Sequence, residues 1–248
     1  MSLHVGTMGW SYDFWKGNFY PENLSSNAFL RHYAKHFNTV EVDSTFYRIP
    51  RAQNVINWKE QTPDDFVFSL KFPRAITHVK MLKDCDEESS IFLKRAGLLG
   101  EKLGPLLLQF SSSFGNQQVT LLADFLKKLP KKHRYVVEVR NRRLLNDSFY
   151  SALRERNVVL AWVDSPFLPQ INEVTSDFLY MRWEGERRSL KGNLGRIEVD
   201  RKAKTKLWAD KIMPFLESQN DFFGYFSKFY SGHPPSDVKD FLSNILKK

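Results

Sequence analysis

The sequence has almost no cysteine and no long apolar segment, and both absences exclude classes of protein. Its 248 residues contain one cysteine, Cys85, so the chain can form no intramolecular disulfide and has no Cys-x-x-Cys metal or redox motif. The run from Leu103 to Phe110 is typical of its longest apolar stretches, and a membrane span needs ~18 residues. The N-terminus lacks a basic segment followed by an apolar one, so we expect no secretory signal. These features favour a cytoplasmic protein without a membrane partner.

Two phosphate-binding motifs are also missing. The segment Gly9–Asp13, after the first predicted strand, lacks the Gly-x-Gly-x-x-Gly turn of a dinucleotide-binding sheet, and no P-loop occurs. The composition is ordinary for a globular protein, with 42% hydrophobic and 26% charged residues. Lys and Arg outnumber Asp and Glu by 37 to 28, which gives a formal net charge of +9. A basic excess favours anionic partners but does not specify one.

Short apolar runs alternate with longer amphipathic stretches along the whole chain. Such runs predict strands that are buried on both faces, as they are in a parallel sheet. Eight strands are predicted in this way: His4–Met8, Thr39–Val42, Phe66–Lys71, Pro105–Phe110, Tyr135–Val139, Val158–Val163, Phe178–Arg182 and Phe222–Phe226.

Helical periodicity fills most of the intervals between these strands. The segment from Asp164 to Thr175 is the exception, because it contains Pro166 and Pro169 and shows no helical period. Ser236 is a plausible N-cap for the last helix. The predicted helices include Phe29–Phe37, Asn54–Glu60, Glu88–Leu99, Val119–Leu129, Ser148–Arg156, Lys202–Leu216 and Val238–Leu246.

This regular alternation, with no linker or break in composition, predicts a single α/β domain over residues 1–248. We expect a (β/α)8 barrel of the TIM type whose sixth helix is short or missing. An open doubly wound sheet is the alternative fold. In a barrel, the functional site lies at the C-terminal ends of the strands, so residues at those ends are the candidates for chemistry.

Polar and aromatic residues are common at the predicted strand ends and in the loops that follow them. The catalytic candidates are Glu41, Glu138, His78 and Asp164. The ligand-binding candidates are Trp10, Tyr47, Lys71, Arg74, Gln109, Arg140, Arg182, Trp183 and Tyr230. The carboxylates have a structural alternative, in which Glu41–Lys71 and Glu138–Arg182 are ion pairs across the mouth. His78 also has a structural alternative, in which it is an ordinary loop histidine without a catalytic role.

Basic residues form two groups at opposite ends of the predicted barrel. The group at the C-terminal mouth lies beside aromatic residues, which favours an anionic ligand with flat rings, such as a nucleotide or nucleic acid. The other group precedes the fifth strand, where a solvated surface is the simpler interpretation. This second group consists of Lys127, Lys128, Lys131, Lys132 and Arg134.

Several segments resemble a known family. Gly6–Tyr12, Thr39–Pro50, Leu103–Gln109 and Ala161–Ser165 look like the YecE-like family of uncharacterised proteins, domain of unknown function 72. The resemblance spans essentially the whole chain and implies a barrel fold without an established activity. The chain departs from the family pattern at three mouth positions: Asp43 replaces a usual Asn, Trp183 a usual His, and Ser227-Lys228 a usual Asn pair.

We therefore expect the mouth to bind an anionic ligand that contains phosphate. In this hypothesis Arg140 and Arg182 grip the phosphate, a glutamate is the general base and His78 is the general acid. Hydrolysis of a phosphate ester is one open reaction. Alternatives are a glycosidase or isomerase that uses paired carboxylates, and a nucleic-acid-binding barrel that is not an enzyme. No cofactor is evident, and the histidines and carboxylates are few for a zinc cluster, although carboxylates could hold one Mg²⁺.

Overall fold

Parallel strands close into a barrel in the computed structural model, which describes residues 2–246. The strands are β1 (Leu3–Met8), β2 (Thr39–Val42), β3 (Val67–Lys71), β4 (Leu103–Gln109), β5 (Tyr135–Glu138), β6 (Val159–Leu160), β7 (Trp162–Asp164), β8 (Phe178–Trp183) and β9 (Asp221–Phe226). β6 and β7 are two parts of one barrel strand, separated at Ala161. β6 pairs with β5 and β7 with β8, so this strand closes the sheet. All eight predicted strands and the predicted barrel are confirmed.

Helices surround the barrel at most of the predicted places. They are α1 (Phe29–Tyr33), α2 (Ser44–Tyr47), α3 (Ala52–Glu60), α4 (Asp86–Ala96), α5 (Val119–Lys128), α6 (Asp147–Arg154), α7 (Lys202–Glu217) and α8 (Pro234–Leu246). No helix forms between Asp164 and Thr175, a segment that the structure describes throughout. This confirms that the sixth helix is missing.

Two local predictions need correction, and one short helix was missed. α8 begins at Pro234, so Ser236 lies inside the helix and is not its N-cap. Proline suits the first turn because its missing N–H would have no partner there, and the Ser236 hydroxyl lies 2.8 Å from Nδ1 of His233. The first helix ends at Tyr33, four residues before the predicted end of its apolar stripe. The short helix α2 was not predicted.

The two faces of each strand have different surroundings. Inward-facing residues such as Met8, Tyr180 and Tyr225 form one packed cluster inside the barrel. Outward-facing residues join the larger core between the strands and the helices. Because side chains alternate along a strand, neighbours such as Arg182 and Trp183 must face opposite sides. Arg182 points into the barrel and Trp183 points out.

Within residues 2–246, no helix is both long enough and apolar enough to cross a membrane.

A substitution of Trp183 tests whether this side chain faces the outer core and not the barrel interior. Its buried ring stacks on Phe226 with 4.0 Å between ring centroids, so Trp183→Ala should destabilise the fold by about 3–5 kcal/mol. Urea denaturation measures this loss, and Tyr47→Ala is the control because that ring is exposed. A loss below about 1 kcal/mol for Trp183→Ala would contradict the outward orientation.

Candidate functional site at the barrel mouth

A layer of polar side chains closes the barrel interior just below its C-terminal rim. Inward-facing positions at the strand ends supply it: Glu41 from β2, Lys71 from β3, Gln109 from β4, Glu138 from β5 and Arg182 from β8. All five are buried. Gln109 and Glu138 are paired in the register of β4 and β5, and Gln109 Nε2 donates to Glu138 Oε1 at 2.6 Å.

Arg182 is the centre of this layer, because all five of its N–H groups have partners. Nε and Nη2 donate to the two oxygens of Glu41 at 2.9 and 2.8 Å. Nη1 donates to Glu138 at 2.5 Å and also to Glu184. Nη2 directs its second proton to the sulfur of Met8 at 3.4 Å. The guanidinium therefore has no N–H left for a ligand.

The two buried glutamates of this layer have different electrostatic environments. Burial raises the pKa of Glu41 and outweighs the attraction of Arg182. Burial also acts to raise the pKa of Glu138, but the charges of Arg182 and Arg140 outweigh it and lower this pKa to about 2. Tyr180 donates to Glu41 Oε2 at 2.6 Å, and burial raises the pKa of this phenol, so it remains a donor.

A cavity of about 510 Å³ opens above this layer. Its walls carry six cationic and two acidic side chains, with aromatic rings between them. The lining residues are Met8, Tyr12, Asp43, Phe46, Tyr47, Lys71, Arg74, His78, Gln109, Arg140, Arg182, Glu184, Arg187, Ser227, Lys228 and Phe229.

Lys71 and Asp43 lie side by side on the cavity wall. Lys71 Nζ is 3.7 Å from Asp43 Oδ1 and 4.3 Å from the centroid of the Phe46 ring. The Thr45 hydroxyl, which donates to the carbonyls of Val42 and Lys71, joins α2 to the ends of β2 and β3. The short helix α2 thus fixes the position of Phe46 relative to the ammonium group.

The loop after β3 brings His78 to the cavity. His78 lies in a π-helical turn over Ala75–Val79, and Met81, Leu82 and Asp84 behind it have positive φ angles between 45° and 69°. Strained backbone and π-helical turns are frequent at functional sites.

The charge environment of His78 keeps its imidazole neutral near pH 7. Burial lowers its pKa, and the nearby charges of Lys71, Arg140 and Arg74 lower it further. The Nδ1 atom lies 2.9 Å from the Thr77 hydroxyl.

The structure brings seven of the predicted site residues together on the cavity wall. They are Tyr47, Lys71, Arg74, His78, Gln109, Arg140 and Arg182. Glu41 and Glu138 lie beneath the cavity floor, fully buried, and are not among the lining residues. The Glu138–Arg182 ion pair considered from the sequence is present, whereas the near acidic neighbour of Lys71 is Asp43 and not Glu41.

Trp183 and Asp164 do not belong to the mouth. Both lie on outward-facing positions, Trp183 beside the inward-facing Arg182 and Asp164 beside the inward-facing Val163. Asp164 is buried and accepts hydrogen bonds from Trp208 at 2.8 Å and from the Lys204 ammonium at 2.6 Å. It therefore anchors α7 to the barrel.

Trp10 and Tyr230 also lie away from the cavity. The chain turns at Gly9, where φ is 81°, and the Trp10 ring packs edge-on against Trp58 with 5.7 Å between centroids. Tyr230 is fully buried, with its hydroxyl 3.2 Å from that of Thr205 on α7. Neither ring lines the cavity, and both pack against neighbouring elements instead.

Several lining residues were not among the predicted site residues. Glu184 follows β8 at the same strand parity as Arg182, and this parity was the signal that could have identified it. Tyr12, Phe46 and Phe229 come from loops, and no sequence period places loop side chains. Asp43, Ser227 and Lys228 were recognised only as residues of the predicted mouth.

No group of three or more His, Cys, Asp or Glu side chains within residues 2–246 is arranged to hold a metal ion. Arg182 donates to Glu41, Glu138 and Glu184 and also lies 3.8 Å from Asp43, so these mouth carboxylates already share a cation. The expectation of a single Mg²⁺ stays a prediction.

Comparison with known proteins places this barrel in a family. The family model described as "Protein of unknown function DUF72" matches residues 4–247. The chain is similar to the UPF0759 protein YecE of Escherichia coli K12, with 37% identity over 139 residues, 56% of this chain and 48% of YecE. It is also similar to the UPF0759 protein YunF of Bacillus subtilis, with 28% identity over 180 residues, 69% of this chain and 62% of YunF. The match thus spans only about half the length of YecE.

A solved structure has the same fold over the full length. The crystal structure of a DUF72 family protein from Thermotoga maritima superposes with a TM-score of 0.85 and 26% identity, and the match covers 100% of both chains.

Removing the charge of Arg182 tests its role as the centre of the buried layer. Arg182→Met leaves three carboxylates without their shared cation, so we expect a loss of about 3–5 kcal/mol in the free energy of unfolding at pH 7. Arg154→Met, which removes an exposed ion pair with Glu173, is the control and should cost under about 1 kcal/mol.

The pH dependence of the same variant should differ from that of the natural protein. The lowered pKa of Glu138 stabilises the natural fold above pH 4.5, and this contribution is lost as the pH falls toward about 2. Without Arg182 the buried carboxyls bind protons more tightly than in the unfolded chain, so Arg182→Met should regain stability as the pH falls from 7 to 5. Denaturation midpoints that do not change over this range would contradict the proposed charge network.

Proposed function

The chain belongs to the DUF72 family, and we propose that its barrel mouth binds a small anionic ligand that contains phosphate. The observation that carries this proposal is an excess of cations around one cavity. Arg74, Arg187 and Lys228 line it, and none of them forms an ion pair with a residue in the range 2–246. Each thus has a positive charge available for a phosphate oxygen.

Two further cations of the cavity are only partly neutralised by neighbouring carboxylates. Arg140 is partly exposed, with its Nε 3.2 Å from Glu138 and its Nη2 3.4 Å from Glu184. Lys71 lies 3.7 Å from Asp43, which is longer than a hydrogen bond. Both can therefore turn toward an anion. Arg182 differs because all of its N–H groups already have partners. We therefore assign the phosphate contacts to the cations at the rim of the cavity and not to Arg182.

The size and walls of the cavity support a ligand of nucleotide size. A volume of about 510 Å³ lies within the range of ~300–1,000 Å³ that is usual for small-molecule sites. The Tyr47 ring is 76% exposed at the rim, and Phe46 and Phe229 line the walls. An exposed ring beside cations suits a ligand that has a flat base as well as a phosphate.

The sugar-acting alternative loses its main support in this geometry. It requires two carboxylates that reach the substrate, and Glu41 and Glu138 are buried with their oxygens bound to Arg182, Tyr180 and Gln109. Neither carboxylate lines the cavity, so neither is placed to exchange a proton with a substrate bound there.

Hydrolysis of a phosphate ester is a second candidate function, and His78 is the observation that favours it. Its lowered pKa supplies a neutral base inside a cationic cavity, able to accept a proton from an attacking water molecule. A bound phosphate would raise this pKa again, and the imidazolium could then protonate the leaving group. The glutamates below the floor are not needed for this role.

Binding experiments separate the mouth from the other basic surface. We expect the double variant Arg74→Gln/Lys228→Gln to bind adenosine 5′-monophosphate at least about tenfold more weakly, because each cation loses a charge-assisted hydrogen bond. Isothermal titration calorimetry at low salt measures this, and the affinity of the natural protein should fall as salt is added.

The matched control is Lys131→Gln/Lys132→Gln. These lysines line a cavity of about 850 Å³ at the N-terminal ends of the strands, beside Tyr135 and Phe178. This control should bind as the natural protein does. Loss of binding in the control alone would favour a nucleic-acid-binding surface at that end, and absence of binding by the natural protein would refute the proposal.

The titration of His78 predicts how binding depends on pH. Adenosine 3′,5′-cyclic monophosphate is a suitable probe, because its phosphodiester keeps one charge throughout the range. An anion favours the protonated imidazole, so the affinity should rise as the pH falls from 8 to 5, by up to about tenfold per pH unit. His78→Asn should remove this dependence, and a steep rise that persists in the variant would show that another group titrates.

A further inference from the structure

A second cavity adjoins the mouth and shares part of its wall. It has a volume of about 270 Å³, and Arg140, Glu184 and Arg187 line both cavities. The floor of the second cavity is apolar, with Val163 and Leu168. The site therefore has two lobes that meet at the shared residues.

Each lobe has an exposed aromatic ring. Tyr47 lines the first lobe and is 76% exposed, and Phe167 lines the second lobe and is 59% exposed. The backbone of Phe167 is held in place, since its carbonyl accepts from Arg142 Nε at 3.0 Å and its N–H donates to the Ser165 hydroxyl at 3.3 Å. An exposed apolar ring on a hydrogen-bonded backbone segment beside cations is suited to stacking.

The missing sixth helix explains why Phe167 is free to take this position. In each of the other units of the barrel, an α-helix follows the strand before the next strand begins or the described chain ends. After β7, the chain instead continues without a helix to Thr175 and lines the second lobe. An aromatic ring at this point of the chain can therefore be part of the mouth.

Cations line both lobes. Arg140 and Arg187 are common to both lobes, and Arg188 lines the second lobe. The site thus has an exposed ring in one lobe, a shared wall with two guanidinium groups and the Glu184 carboxylate, and an exposed ring in the other lobe. A single nucleic acid strand has the complementary order, with a base, a phosphodiester and the next base.

We propose that the mouth takes a single-stranded nucleic acid segment of at least two nucleotides. One base stacks on Tyr47, the linking phosphodiester contacts Arg140 and Arg187, and the next base stacks on Phe167. This inference rests on the proposed function, because it uses the same cationic cavity. It goes further in requiring that a dinucleotide bind more tightly than a mononucleotide.

The test compares thymidine 5′-monophosphate with the dinucleotide pTpT in calorimetric titrations at low salt. We expect the dinucleotide to bind at least about fivefold more tightly, which is the minimum effect of one stacked base. Phe167→Ala should remove this difference without weakening the mononucleotide, and Phe167→Trp should keep it. Leu207→Ala is the matched control, since Leu207 is 69% exposed on α7 and outside both lobes.

The outcomes separate this inference from the proposed function. Equal affinity for the two probes, or a difference that persists in Phe167→Ala, would overturn the two-nucleotide site and leave the phosphate-binding mouth intact. Failure of both probes to bind would overturn both proposals.

Discussion

The structure depends on one buried guanidinium group that holds three carboxylates at the top of the barrel. Arg182 on β8 contacts Glu41 on β2, Glu138 on β5 and Glu184 just after β8. Charges buried in this way are costly unless every donor and acceptor has a partner. Here all five N–H groups are used, so strands that lie far apart around the barrel are fixed to one central group.

This hydrogen-bond network determines which polar side chains at the mouth are left to contact a ligand. Glu41 and Glu138, the two glutamates predicted as catalytic candidates, are fully buried beneath the cavity and do not line it. The cations above the floor are only partly neutralised, and three of them have no acidic partner among residues 2–246. The function that we propose for the mouth is therefore recognition of an anion, with His78 as the group proposed for proton transfer.

The sequence predicted the barrel well because buried parallel strands have a strong pattern, and even the missing helix after β7 followed from two prolines and the lack of a period. The site was harder to predict. Strand alternation could have separated Arg182 from Trp183 and Asp164 from Val163, since neighbours in a strand face opposite sides. It could not reveal that Tyr230 folds under α7, or that Tyr12 and Phe229 reach the cavity, because loop geometry depends on contacts distant in sequence.

A crystal structure of the protein soaked with adenosine 5′-monophosphate would test the central claim most directly. We expect the phosphate to lie in the mouth, within hydrogen-bond distance of at least two of Arg74, Arg140, Arg187 and Lys228. Arg182 should still be bound to its glutamates. A phosphate bound at Lys131 and Lys132 with an empty mouth would contradict it. A phosphate that displaces Glu41 or Glu138 from Arg182 would contradict the assignment of that layer to the floor.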